Sequence, residues 1–365
     1  MTIKQEFDIK ISRIRSLMED KGLDGIFLKR QDDFAYLSCG GRNYVGAGDM
    51  GNCGLLVTKD KYYAITNNIE APRMLAEENL ATLGFEMKAG TWHNGSFESE
   101  TLKALVPSLK IGKDFGNDNN IAEDIKTLRR DLTEAEVQRY IGIGQDASEA
   151  LESVAKSVKV GQTEYEIAAL IMAKMEEKGL ELISCMVAAD DRIRNYRHPL
   201  PTSNKVKNIV QMGGNFRRNG LIVCLTRYVS FGEPSAEYRK QFKDNQIIDC
   251  TLISSVKEGE PFNKALNAGK AKYEELGYAD EINKHHQGGP IGYAGRDYRV
   301  DFNTNALASK VQAMCWNPSI TGSKSEDTYI VTEGKCMAIT KPVYFPTVKL
   351  NVNGVEFERA DILVL

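Results

Sequence analysis

Residues 285–293 read His285-His286-Gln287-Gly288-Gly289-Pro290-Ile291-Gly292-Tyr293. Two histidines stand beside four glycine or proline breakers, a combination that predicts a loop whose backbone closely approaches something. Upstream lies Arg197-His198-Pro199-Leu200-Pro201, between a predicted helix and a predicted strand. Downstream lie Trp316-Asn317-Pro318-Ser319-Ile320-Thr321-Gly322 and then Ser325-Glu326-Asp327-Thr328. Any one of these segments alone reads as an exposed polar turn. Three within one half of the chain, each flanked by apolar runs, read as sheet ends loaded with hydrogen-bonding groups, and so as a site.

The surrounding pattern gives two halves of different texture. In the first, Ile11, Ile14, Leu17 and Met18 recur at helical spacing and predict an amphipathic helix closed by Gly22. The strand Ile26-Phe27-Leu28, apolar runs at 53–58 and 62–66, a helix over 72–79 and a strand over 109–113 follow. Strands alternating with helices predict a small α/β domain over residues 1–130. From residue 131 the texture changes. Thr133 with Glu136, and Thr163 with Glu166, have the spacing of capping boxes ahead of two helices, the second closed by Gly179. Short β-like runs then recur at 209–212, 221–229, 247–255, 313–316, 329–331 and 337–339. An α+β domain over 131–365 is expected, with paired helices on antiparallel sheet. Gly142 and Gly144 lack the remainder of a dinucleotide fingerprint.

The whole chain sets outer bounds. Its 365 residues, 42% hydrophobic and 27% charged, suffice for two domains with sizeable cores. Lys+Arg 47 against Asp+Glu 50 leaves a formal charge of -3, with no electrostatic footprint for nucleic acid or an anionic membrane. No run approaches the roughly 20 apolar residues of a membrane span, and residues 1–15 lack the apolar block of a signal peptide. Seven scattered cysteines without a Cys-x-x-Cys pair predict free thiols and a reducing cytoplasm.

In their order, these segments resemble the pita-bread hydrolases: creatinase, prolidase and aminopeptidase P. The family's strand pair reads Asp-x-Gly, then Gly-Tyr-x-Ser-Asp-x-Thr-Arg. Here it is Gln211-Met212-Gly213, then Gly220-Leu221-Ile222-Val223-Cys224-Leu225-Thr226-Arg227. His-Gly-x-Gly corresponds to His286-Gln287-Gly288-Gly289, Glu-Pro to Asn317-Pro318, and the last Glu-Asp-Thr to Glu326-Asp327-Thr328. The N-terminal half fits through Gly22-Leu23-Asp24-Gly25-Ile26 and Phe34-Ala35-Tyr36-Leu37-Ser38. Each motif is weak alone; five in order are specific. The resemblance implies a creatinase-like N-terminal domain followed by a pita-bread catalytic domain.

The departures carry as much information. Metallopeptidases of the family hold two metal ions with two Asp, one His and two Glu. The corresponding positions here are Gln211, Cys224, His286, Asn317 and Glu326. Two adjacent divalent ions need several anionic oxygens to offset their repulsion, so no dinuclear centre is expected. A second family histidine is Tyr293 here, which unsettles the usual peptide-binding mode.

Two chemical readings follow. In the first the site is metal-free and needs no cofactor, as in creatinase, which hydrolyses a C–N bond of a small guanidino acid. His198 then stands at creatinase's catalytic histidine, with Glu326 and His286 as further catalytic groups and Gln211, Asn317 and Tyr293 binding substrate. In the second, Cys224, His286 and Glu326 hold a single divalent ion, an acceptable zinc set. Cys224 itself reads either as a small buried filler within an apolar run or as a nucleophile with a histidine base. The creatinase branch also implies a homodimer in which an N-terminal arginine reaches the partner's site; Arg42 is the candidate, against its plain reading as an exposed loop charge. Arg296 and Arg299 are comparable suspects. The expected function is hydrolysis of a C–N bond in a small polar substrate. The alternatives are an Xaa-Pro peptidase with one metal ion and a non-catalytic binding protein.

Overall fold

Phe7, Ile11, Ile14, Leu17 and Met18 form one buried stripe of α1 (Ile3–Asp20), which starts in a capping box between Thr2 and Gln5. The chain turns at Gly22, with φ 61°, and enters β1 (Gly25–Arg30), whose Ile26, Phe27 and Leu28 are buried on both faces. The computed structural model describes residues 1–332 and 335–365. It separates into one unit of residues 1–135 with 219–221, and a second of 136–218 with 222–365.

The N-terminal unit continues through α2 (Gln31–Leu37), β2 (Met50–Thr58), β3 (Tyr62–Asn67), α3 (Ala71–Glu77), α4 (Leu80–Leu83), β4 (Glu86–Gly90), α5 (Phe97–Leu105), β5 (Ile111–Lys113) and α6 (Ala122–Arg130). Its five strands form one mixed sheet in the order β4-β3-β2-β1-β5. The outer pairs β3–β4 and β1–β5 are parallel, and the two inner pairs are antiparallel. This is the expected α/β arrangement.

The second unit holds most of α7 (Glu134–Ala155), then α8 (Glu164–Glu177), β6 (Glu181–Ala189), α9 (Asp191–Asn195), β7 (Ile209–Arg218) and β8 (Leu221–Ser230). The Thr163–Glu166 capping box forms as its spacing predicts. Two long helices follow, α10 (Ala236–Ser254) and α11 (Phe262–Glu275), and then a 3-10 turn over Glu281–Lys284. The remaining strands are β9 (Gly288–Pro290), β10 (Gln312–Trp316), β11 (Ser319–Ile320), β12 (Ser323–Lys324), β13 (Tyr329–Thr332), β14 (Lys335–Ala338), β15 (Thr347–Val352), β16 (Val355–Ala360) and β17 (Leu363–Val364). Two four-stranded sheets, β17-β8-β7-β6 and β14-β13-β10-β9, carry the site. The core gathers Ile248, Leu252, Phe262, Leu266, Trp316 and Tyr329 where α10 and α11 cover the second sheet.

One sequence expectation fails here. Residues 247–255, read as a β-like run, fall almost entirely in the C-terminal half of α10. Ile248, Cys250, Leu252 and Ile253 are all buried. A helix covered on most of its circumference loses its polar stripe, so an apolar, β-branched run no longer distinguishes it from a strand. All seven cysteines are free thiols. Among the described residues no helix is long and apolar enough to cross a membrane.

Candidate active site

Extended chain alternates its side chains, and this decides which residues reach the cavity of the C-terminal unit. The Thr226 hydroxyl on β8 donates to Glu326 Oε2 at 2.7 Å, while the Thr226 N–H donates to the Glu326 carbonyl at 3.0 Å. Two residues away, the Cys224 N–H donates to Thr328 Oγ1 at 2.8 Å, and that hydroxyl donates back to the Cys224 carbonyl at 3.0 Å. The side chains that alternate with these turn the other way. Arg227 donates to Glu152 at 2.7 Å and to Asp327 at 2.9 Å, and Arg359 reaches Asp249 at 2.7 Å and Asp327 at 3.1 Å. Thr-Arg and Glu-Asp-Thr are thus two extended segments locked side by side. One face is given to the cavity and the other to a buried ion-pair network.

Glu326 is the buried anion of the cavity face. Lys324 Nζ lies 2.7 Å from Oε2, and Arg296 Nη2 lies 3.4 Å from Oε1. Burial pushes the Glu326 carboxyl up, but Lys324 and then Arg296 outweigh it and the net shift is downward, so the group is ionised. The Arg296 guanidinium also donates to Cys224 Sγ at 3.3 Å and Cys315 Sγ at 3.5 Å. A hydrogen bond from Cys315 lowers the Cys224 thiol, against burial and with help from Arg296. Burial and the neighbouring Cys224 push Cys315 well up. The two shifts run in opposite directions, so of the pair Cys224 gives up a proton more readily than Cys315.

Three histidines converge a short way along. His285 Nε2 lies 3.1 Å from His198 Nε2, and the His286 ring centroid is 4.4 Å from that of His285. Burial holds His285 down to about 2 and His286 to about 4, reinforced by Lys324 for the first and by Arg296 and Arg299 for the second. His198 is lowered as well, by burial and then by Lys324. All three imidazoles are therefore neutral at pH 7. Gly288 follows in left-handed backbone, φ 96°, packed against Cys315 and Asn317, where a side chain would collide.

A cavity of about 680 Å³ opens on these groups, lined by His198, His286, Arg296, Arg299, Asn317, Lys324 and Glu326 with Met186, Leu200, Asn215 and others. The predicted His198, His286, Asn317 and Glu326 thus meet in one place. Gln211 is buried with its Oε1 accepting from the Tyr228 hydroxyl at 2.6 Å. The Tyr293 hydroxyl donates to Glu136 at 2.6 Å. Neither of these two lines the cavity. Arg42 lies in the N-terminal unit, where its N–H donates to Glu78 at 2.6 Å and its exposed guanidinium stands 3.9 Å from the same carboxylate. The ligand set Cys224, His286 and Glu326 is divided: Cys224 and Glu326 converge with Cys315, and His286 converges with His198 and His285.

Sequence reasoning missed three members. Lys324 stands two residues before Glu326, the spacing that puts extended side chains on one face, and that signal was available. His285 was visible only as a neighbour of His286. Cys315 gave no signal, being one scattered thiol in an apolar strand.

A family model described as metallopeptidase family M24 matches residues 143–364. An uncharacterized peptidase of Staphylococcus haemolyticus is 24% identical over 263 residues, covering 68% of this chain and 74% of its own length. A solved dipeptidase from Pyrococcus horikoshii OT3 aligns with TM-score 0.76 at 17% identity, over 98% of this chain and 100% of that one. The Xaa-Pro dipeptidase from Bacillus anthracis gives 0.73 at 19% identity, over 98% and 99%. The architecture is accordingly that of the prolidase and creatinase type, an α/β N-terminal domain followed by a pita-bread domain.

Proposed function

The chain belongs to metallopeptidase family M24, and from that premise we propose that its C-terminal unit hydrolyses a C–N bond of a small polar substrate by acid–base chemistry, without a dinuclear metal centre. The observation that carries this reading is the pairing of Glu326 with Lys324 at 2.7 Å and Arg296 at 3.4 Å. Glu326 is the one carboxylate left at the family's ligand positions, and protein-borne cations already balance it. Two unit charges about 4 Å apart interact by roughly 4 kcal/mol at an effective dielectric of about 20, and a divalent ion doubles that. A dication beside Lys324 and Arg296 would meet such repulsion twice, with one carboxylate and a thiolate to offset it. The same charges weigh against a single ion on Cys224, His286 and Glu326, which the geometry also divides.

The reaction then runs on side chains alone. His198, neutral and exposed at the cavity, takes a proton from the attacking water and returns it to the leaving nitrogen. In this reading His198 Nε2–H donates across the 3.1 Å contact to His285 Nε2, which leaves the His198 lone pair on Nδ1 to take the proton. Lys324 and Arg296 face the negative charge that develops on the reacting carbon's oxygen or nitrogen substituent, and Glu326 holds those cations in place. His286 orients the substrate.

Turnover of amidino acids, cyclic amidines and Xaa-Pro dipeptides, each with and without chelator, tests this. The expected result is hydrolysis of one of them that chelator leaves undiminished and His198→Ala removes. Activity abolished by chelator and restored by a divalent ion overturns the metal-free reading. Binding of one of these compounds without any turnover overturns the enzymatic reading and leaves a binding protein.

A further inference from the structure

The three polar segments that the sequence singles out meet a second time, outside the cavity. Arg197 precedes His198, Glu281 opens the 3-10 turn that ends at His285, and Thr321 stands in the turn between β11 and β12. They converge on one carboxylate. Arg197 Nη2 donates to Glu281 Oε2 at 2.8 Å and to Thr321 Oγ1 at 2.7 Å. The Thr321 N–H and hydroxyl each donate to Glu281 at 2.9 Å, and Lys284 Nζ lies 2.8 Å from Oε1. The Arg197 and Glu281 side chains are only 19% and 12% exposed, so solvent screens this pair less than a surface one. The far end of the turn is held as well: Gln287 Nε2 donates to the His285 carbonyl at 2.7 Å, and its Oε1 accepts from the Tyr273 hydroxyl at 3.0 Å. Among the described residues, two contacts of hydrogen-bond length join residues 195–200 to 281–287: Arg197 with Glu281, and His198 with His285 at 3.1 Å. Arg197, Glu281 and Thr321 do not line the cavity.

We propose that Glu281 is a positioning residue: by tying Arg197 and Thr321 to the turn before His285, its carboxylate sets the place of the His198 imidazole against His285. The inference rests on the hydrolase reading above for the role of His198, and goes beyond it by naming what keeps that base in place. The His198 contact cannot do so alone. It is a single hydrogen bond between neutral rings, made by an exposed side chain whose other rotamers are open to it. The neighbouring residue carries the stronger, charge-assisted bonds, so the order of the segment is secured at Glu281 and the imidazole arrives already placed. One nitrogen, Nη2, makes both Arg197 bonds, so a lysine ammonium with its three donors can stand in for it.

Nuclear Overhauser spectroscopy of the full chain with ring-labelled histidine tests the geometry, and with four histidines each ring is assignable by single substitution. The unaltered chain should show a cross-peak between the His198 and His285 rings. Arg197→Gln and Glu281→Ala should each lose it, and Arg197→Lys should keep it. Should Glu281→Ala fail to fold, Arg197→Gln decides, since it leaves Glu281 with Thr321 and Lys284. With whichever amidino acid, cyclic amidine or Xaa-Pro dipeptide is turned over, Arg197→Gln should lower kcat by about 10- to 100-fold at nearly unchanged KM, the cost of a displaced catalytic group. Arg197→Lys should restore most of that loss. A cross-peak that survives Arg197→Gln, or a loss that falls on KM and spares kcat, overturns the inference. A cross-peak that depends on Arg197 and Glu281 in a chain that turns over none of these compounds would instead fault the hydrolase reading and leave the tie standing.

Discussion

At position 198 an exposed imidazole lines the cavity with a second imidazole 3.1 Å away. His198→Ala should lower kcat by roughly 10²–10⁴-fold, the usual worth of a positioned acid or base. Folding should change little, because the side chain is exposed. His286→Ala should raise KM more than it lowers kcat. A reversed order, His286 critical and His198 dispensable, contradicts the assignment. The histidines also set a pH dependence of stability. His286 is held at about 4 and His285 at about 2, while the unfolded chain titrates near 6.5. Between the folded and unfolded values the unfolded chain binds more protons, so stability falls as pH drops from about 6.5 toward 4. Melting temperatures at pH 7 and pH 5 check this. His286→Gln should shrink the difference, and a profile unchanged by that variant contradicts it.

The α10–α11 pair and the buried network of β8 belong to the scale of elements. A Cβ at Gly269 on α11 would overlap Leu252 on α10. Gly269→Ala should therefore destabilise the chain by about 1–3 kcal/mol through overpacking, despite alanine's better helix propensity. Urea unfolding checks the sign, and a stabilised variant would mean the helices separate at little cost. Arg227 is fully buried between Glu152 and Asp327. Arg227→Met leaves the buried Glu152 without its cation and Asp327 with Arg359 alone, and should cost about 3–5 kcal/mol, where a loss under about 1 kcal/mol would show the network to be dispensable. These elements also mark what the sequence made legible. Periodicity located α1 and the strands on either side of the site, because each keeps one polar face or a clear turn at its end. It failed at residues 247–255, where burial on nearly all sides of α10 erases the helical stripe. Ordered motifs placed His198, His286, Asn317 and Glu326 in one cavity. They could not place Cys315, nor show that the Gln211 and Tyr293 side chains are taken up by Tyr228 and Glu136, because such partners are set by packing across the sheet.

For the whole molecule, the family's peptidase chemistry and this chain's charges pull in different directions. The positions to which the resemblance assigns the two metal ions of the family's metallopeptidases carry here an amide, a thiol, an imidazole, a second amide and one carboxylate, and two basic side chains stand against that carboxylate. A homodimer is expected from the resemblance to creatinase, with the glycine-rich segment 39–54 as the contact. Light scattering at micromolar concentration checks it, and a monomer would remove the reason for assigning Arg42 to a partner's site. The charge argument is tested most directly by elemental analysis of the protein purified mildly and without chelator. The account predicts at most one transition-metal ion per chain, and none that survives dialysis. Two tightly held ions per chain would contradict it, because Lys324 and Arg296 could not then occupy the places described.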